Sequence, residues 1–275
     1  MIHIKLCFTI LFILIGFVGK ASYGRENHFK TNLSLRLAQS SPNDSFGDGQ
    51  PISREGTATR LDGFNFDGDG RPEPGTRKGG ASRGNCPPID PGLTALIPEI
   101  NLGLTTKEYP TLWFYVPYSA TEIAQAELMV LDENQQPALD QPLVIKLSQT
   151  PGIVGIKLPS TAKPLTVGQK YRWYFELVCD TEDPSANPGV NGWVKRIQPS
   201  SELITQLENH STEQHYLIYA KNGIWYDALT HLITQREATA SESQLSQDWS
   251  DLLTAVGLQD LVPVPTTDCC LSTSP

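Results

Sequence analysis

The sequence predicts a mainly β fold followed by an α-helical C-terminal unit, and three observations carry that reading. From residue 86 to 198 short apolar or alternating runs recur between Pro, Gly, Asn and Asp, the punctuation of an antiparallel β-sandwich. From residue 200 to 260 apolar residues return at helical spacing instead. Before both lies a stretch, residues 22–85, with 11 glycines in 64 residues and little periodicity. A chain of 275 residues has room for one substantial core and an accessory unit, so five cysteines are too few, and unnecessary, for a disulfide-stapled scaffold.

At the N-terminus, Lys5 precedes a 13-residue apolar run, Leu6 to Val18, and small residues follow at Gly19 and Ala21. This is the layout of an export signal, expected to end near residue 21. The run is shorter than the roughly 18 apolar residues of a spanning helix, so no transmembrane segment is expected after cleavage. Residues 22–85 read as a Gly-rich disordered linker, because glycine frees the backbone and proline denies it ladder hydrogen bonds. Asp67-Gly68-Asp69-Gly70 lacks the glutamate that a calcium loop needs at its twelfth position, which here is Lys78.

Within residues 86–198 the runs are Tyr109 to Pro117, Ala124 to Leu131, Leu143 to Leu147, Ile153 to Leu158, Tyr171 to Cys179 and Gly192 to Ile197. In the run from Tyr171, alternate residues Trp173, Phe175, Leu177 and Cys179 share one face, which is expected to be the core face. Leu165, Gly168 and Tyr171 precede that strand in a pattern that resembles the tyrosine corner of immunoglobulin-like and fibronectin type III domains. The fold expected of residues 86–198 is therefore an immunoglobulin/fibronectin III-like β-sandwich. Trp113 and Tyr115 have the parity opposite to Leu112, Phe114 and Val116, so one set faces outward or lies under the C-terminal unit.

Removal of a signal takes Cys7 with it and leaves Cys86, Cys179, Cys269 and Cys270, which permit three pairings. Cys86 opens the folded region and Cys179 points inward, so the expected bond joins these two, in the oxidising compartment that an export signal implies. Cys269 and Cys270 lie in the tail, residues 261–275, and can be free, joined to each other or joined between molecules.

In the C-terminal unit Ser201 is placed to cap a helix bearing Leu203, Ile204 and Leu207, and Ser211 with Gln214 has capping-box spacing. Ile224, Trp225, Ala228, Leu229, Leu232 and Ile233 form one apolar stripe, and Leu245, Trp249, Leu252, Leu253 and Val256 another. The stretch YAKNGIWYDALTHL, with Gly223 and Ala228 permitting close helix approach, resembles the middle of a tetratricopeptide-type (TPR-like) helical hairpin. Two antiparallel helix pairs are expected.

The net charge of −9 is unevenly spread: residues 200–275 hold 10 acidic residues against 2 basic ones. That excludes a broad nucleic-acid surface, which needs a basic footprint, and makes the acidic helical end the expected contact for a protein partner. Trp113, Tyr115, Trp225, Tyr226 and Asp227 are the residues expected to contribute a binding surface. Asp227 and His231 have the spacing of two metal ligands on one helix face, but two ligands are not a site, and no zinc, nucleotide or hydrolase signature occurs. No catalytic residue, metal or cofactor is therefore assigned. The leading expectation is a non-enzymatic protein-binding or envelope scaffold module. A carbohydrate-binding module would use Trp113, Trp173 and Trp193 as stacking platforms. An envelope glycan hydrolase would draw a carboxylate pair from Glu99, Glu108, Asp180, Glu182 and Asp183.

GGASRGNC (Gly79 to Cys86), LTALIPE, NLGLT, YPTLWFYVP, TPGIVGIKLP, YRWYFELVCD, NGWV and NGIWYDALTHL occur in that order. Together they closely resemble the cyanobacterial Domain of Unknown Function 928 family over about residues 79–260. The resemblance implies an exported cyanobacterial protein, periplasmic or extracellular, whose Cys86 and Cys179 match family cysteines. It implies no activity, ligand or catalytic residue.

Overall fold

A computed structural model describes residues 64–66, 70–79, 86–123, 125–179, 187–239 and 243–267. The expected signal peptide, Cys269, Cys270, Asp180, Glu182 and Asp183 lie outside these residues. The first strands are β1 (Thr94–Ala95), β2 (Leu102–Thr105), β3 (Thr111–Val116) and β4 (Gln125–Asp132). After them come β5 (Leu143–Lys146), β6 (Gly152–Lys157), β7 (Lys170–Leu177) and β8 (Gly189–Arg196). They form a three-stranded sheet, β1-β3-β6, and a five-stranded sheet, β2-β8-β7-β4-β5, in which only the β2–β8 pair is parallel.

The two sheets meet through their alternating apolar residues. On β7, Tyr171, Trp173, Phe175 and Leu177 are buried while Arg172, Tyr174 and Glu176 are half-buried on the other face. Phe114 of β3 stacks on Phe175 with ring centroids 4.0 Å apart and meets Trp173 edge-on at 5.4 Å, so one residue from the smaller sheet fills the space between two of the larger. Before β7, the Tyr171 hydroxyl accepts from the Thr166 backbone N–H at 3.0 Å and donates to Gln169 Oε1 at 3.0 Å.

Four α-helices follow: α1 (Ser201–Glu208), α2 (His215–Lys221), α3 (Trp225–Ala238) and α4 (Ser243–Ala255). The cap of α1 is Ser200, whose hydroxyl accepts from Leu203 N–H at 3.1 Å, not Ser201. Ile204 is 43% exposed; it follows Leu203 by about 100° around the helix, so a short helix that buries one leaves the other outside. Ser211 precedes a 3-10 turn without a side-chain cap bond, so the capping box is not formed. Gly223 takes a left-handed φ of 69° and turns the chain from α2 into α3, a role for glycine in the turn.

The β and α parts share one continuous apolar core, running from Leu112 and Phe114 through Trp173 to Trp225, Leu229 and Trp249. Part of the stretch expected to be linker also belongs to it. Phe66 is buried edge-on against Trp225 at 4.9 Å, Thr76 bridges to Asn191 of β8, and Lys78 bridges to Thr94 of β1. The linker reading is corrected for those residues: one aromatic ring and a few ladder bonds outweigh the local glycine content. At the other end, Pro265 and Thr267 exchange backbone hydrogen bonds with Ile153, covering the outer edge of β6.

Cys86 is buried and forms a disulfide with Cys179, two residues beyond the end of β7, with Cα atoms 5.5 Å apart. The bond closes a sequence separation of 93 residues. Replacing both cysteines by alanine is expected to cost about 4 to 5 kcal/mol on the chain-entropy account, measured by urea unfolding; an unchanged midpoint would refute that contribution.

Candidate functional site

The residues expected to form a binding surface lie at the junction between α3 and the two sheets. Helix α3 packs on β2 of one sheet and β3 of the other, and its apolar residues are too widely distributed for a single stripe: Trp225, Tyr226, Ala228, Leu229, Leu232 and Ile233 are all buried. Trp225 donates its indole N–H to the Leu96 carbonyl at 2.9 Å. The Tyr226 ring lies so close to Gly103 that a Cβ there would collide with it, and its hydroxyl accepts from Trp173 Nε1 at 3.0 Å. Burial pushes the ionisation of that hydroxyl far upward, keeping it neutral.

Trp113 projects from the outer side of β3 beneath α3 and donates to Thr230 Oγ1 at 3.0 Å. Tyr115, on the same side of the strand, is half-buried. Asp227 is 2% exposed. Its Oδ2 accepts from Thr105 Oγ1 at 2.7 Å and Thr106 N–H at 3.1 Å, and its Oδ1 from Thr106 Oγ1 at 2.5 Å. Trp113, Trp225, Tyr226 and Asp227 are thus joints of the fold, and the expectation that they form an exposed surface is corrected. The reason is that α3 has sheet on one side and helices α2 and α4 on others, leaving these positions no solvent face.

The other aromatic residues are similarly engaged. Trp173 is buried, Trp249 donates to the Val262 carbonyl at 3.2 Å, and half-buried Trp193 donates to the Pro74 carbonyl at 2.9 Å. Arg172 lies over both Tyr174 and Trp193, 4.9 and 5.7 Å from their ring centroids. A guanidinium therefore already occupies the space beside the two outward-facing rings. Glu99 lies against Gly257 near Arg77, whereas Glu108 pairs with Arg196 at 3.2 Å; the structure does not bring these two carboxylates into one cleft. Among the described residues no three His, Cys, Asp or Glu side chains are grouped to hold a metal.

His231, one turn after Asp227, is tilted against Tyr219 and His215 with ring centroids 5.2 and 5.8 Å away. Burial first, then the Lys107 charge, lower its pKa; Asp227 opposes them and His215 adds to the lowering. Asp248 is a second buried carboxylate, held by the Tyr216 hydroxyl and Gln244 Nε2. Two of the nine acids of residues 200–260 are therefore interior, a division the composition conceals. Glu202, Glu208, Glu213, Glu237 and Asp260 remain exposed.

Residues 78–266 match the family described as Domain of Unknown Function (DUF928). The chain belongs to the DUF928 family. The DUF928 match begins at Lys78, which bridges to β1, and ends at Thr266, which bridges to β6; its limits coincide with contacts that close the fold at either end. No curated protein and no solved structure shows a match to the chain. Among the described residues no helix is long and apolar enough to cross a membrane.

Asp227→Ala is expected to destabilise the protein by about 3 kcal/mol, because it strands three donors, while Asp227→Asn keeps acceptor capacity and costs less; chemical denaturation distinguishes them. For His231 the folded pKa lies below the ordinary 6.5. Stability is thus full above that value and is lost as pH falls, because the unfolded chain takes up a proton that the folded chain resists. Melting temperature is expected to decline between about pH 7 and 5, with a flatter decline in His231→Gln; an identical decline would dismiss His231 as a cause.

Proposed function

We propose that this DUF928 protein is an exported, non-enzymatic module that binds another protein through its acidic helical end. The observation that carries the reading is the sorting of charge in that unit. Asp227 and Asp248 are consumed by internal hydrogen bonds, and Arg236 stacks on Trp249 with its guanidinium carbon 4.4 Å from the ring centroid. The exposed remainder is five carboxylates and Lys221 among the described residues. Such a surface attracts a basic partner, speeds encounter and repels other acidic proteins.

The scaffold is read as an immunoglobulin-like sandwich. Its three- and five-stranded sheets, the parallel β2–β8 pair and the return of the Tyr171 hydroxyl to the backbone at Thr166 support that assignment. The turn through Gly223 between α2 and α3 supports likening them to a tetratricopeptide-type hairpin. Export is supported by the disulfide and by the signal-like N-terminal sequence.

Deleting the helical end would uncover Trp173 and Phe66, so the surface is tested by substitution. The variant Glu202→Lys/Glu208→Lys/Glu213→Lys changes exposed residues alone. It is expected to keep the wild-type circular dichroism and melting temperature. In crosslinking and purification from envelope extract, it should recover the wild-type protein's specific partner several-fold less well, with the wild-type interaction weakening as salt rises. Equal recovery by both proteins, independent of salt, would overturn the proposal.

A further inference from the structure

A groove of about 630 Å³ lies where the side of β2 that has no strand partner among the described residues and the adjoining end of β8 face the turn between α2 and α3. This falls within the size range of small-ligand sites. In the parallel register Leu102 pairs with Trp193 and Leu104 with Lys195, which puts both leucines on the outer face of the five-stranded sheet, away from Trp173 and Phe175. Leu102, Leu104 and Ile197 line the groove as an apolar floor.

Three lysines stand around that floor. Lys170 is neutralised by Glu73, with which it forms an ion pair. Lys195 and Lys221 also line the groove, and among the described residues neither has a carboxylate partner. Two uncompensated cations thus border apolar surface in a protein whose net charge is −9. An anion would neutralise both, and a hydrocarbon chain would cover the floor beneath them. Lysine is a mobile point charge that meets carboxylate or phosphate oxygens without demanding the planar fork of arginine.

We propose that this groove binds a single-chain amphiphile with an anionic head, its chain on Leu102, Leu104 and Ile197 and its head between Lys195 and Lys221. The groove shares Lys221 with the helical unit but none of the three glutamates substituted above, so either proposal can fail without the other.

The test is fluorescence titration of the full-length protein with dansylaminoundecanoic acid, an anionic head on an apolar chain. One saturable site is expected. Dodecanoate and dodecyl phosphate should displace the probe, the tighter competitor naming the head group, whereas acetate and the uncharged dodecyl maltoside below its micelle concentration should not. Lys195→Glu/Lys221→Glu should weaken binding at least about tenfold at unchanged circular dichroism and melting temperature. Lys146→Glu/Lys157→Glu, which makes the same charge change on exposed residues of β5 and β6, should bind as wild type. Where the first variant loses stability, Lys195→Gln/Lys221→Gln replaces it, with the same direction of effect expected. Absence of saturable binding, displacement by the uncharged amphiphile, or equal weakening in the β5/β6 variant would each overturn the proposal.

Discussion

Tyr226 against Gly103 is the contact on which the rest of the architecture depends. The aromatic ring fills the space left by a missing side chain in β2, and its hydroxyl satisfies the indole N–H of Trp173, itself packed between the sheets. Both groups are buried: the indole N–H has the hydroxyl as its acceptor, and the hydroxyl in turn donates to the Trp193 carbonyl at 3.4 Å. Trp225 to the Leu96 carbonyl and Asp227 to Thr105 and Thr106 extend the same seam on either side. Three consecutive residues at the start of α3 therefore fasten the helices to both sheets. The helical end and the two sheets share one apolar core.

That fastening decides where the protein has surface to use. The aromatic residues most suggestive of recognition are spent inside, while the exposed charge includes the carboxylates of the helical end and the lysines that border an apolar groove. Opposite charges at different places on one surface do not fully cancel; each retains a local potential.

Much of the β region is legible in sequence because a strand writes its burial in alternate residues. Tyr171, Trp173, Phe175 and Leu177 declare the core face of β7, and the same parity points Cys179 toward its partner. The helices are legible as periodic apolar residues, down to the turn at Gly223. What periodicity does not reveal is a partner far along the chain. Asp227 reads as a solvated helix residue because its donors, Thr105 and Thr106, lie 122 and 121 positions away. Phe66 sits among glycines with no neighbouring pattern, and only its contact with Trp225 takes it out of the linker. One signal was present for α3: apolar residues at 225, 226, 228, 229, 232 and 233 span more than one helical face, as in a helix enclosed on most sides. The groove has a fainter one, since its floor and one of its lysines follow from parity only once β2 is known to run parallel to β8.

The parallel bridge between Ile153 and Thr266, together with the α3 seam, gives the fold a temporal order. The strands of both sheets precede the helix that seals them, and the edge of β6 waits for a segment 113 residues further along. Closing such long loops costs entropy before the contacts repay it, and contacts of this span favour slow folding. Chain that ends at β8 lacks the residues that pair with the indole N–H groups of Trp113 and Trp173. The acidic helices supply, from within the same chain, the cover without which those indole rings would face water and favour aggregation.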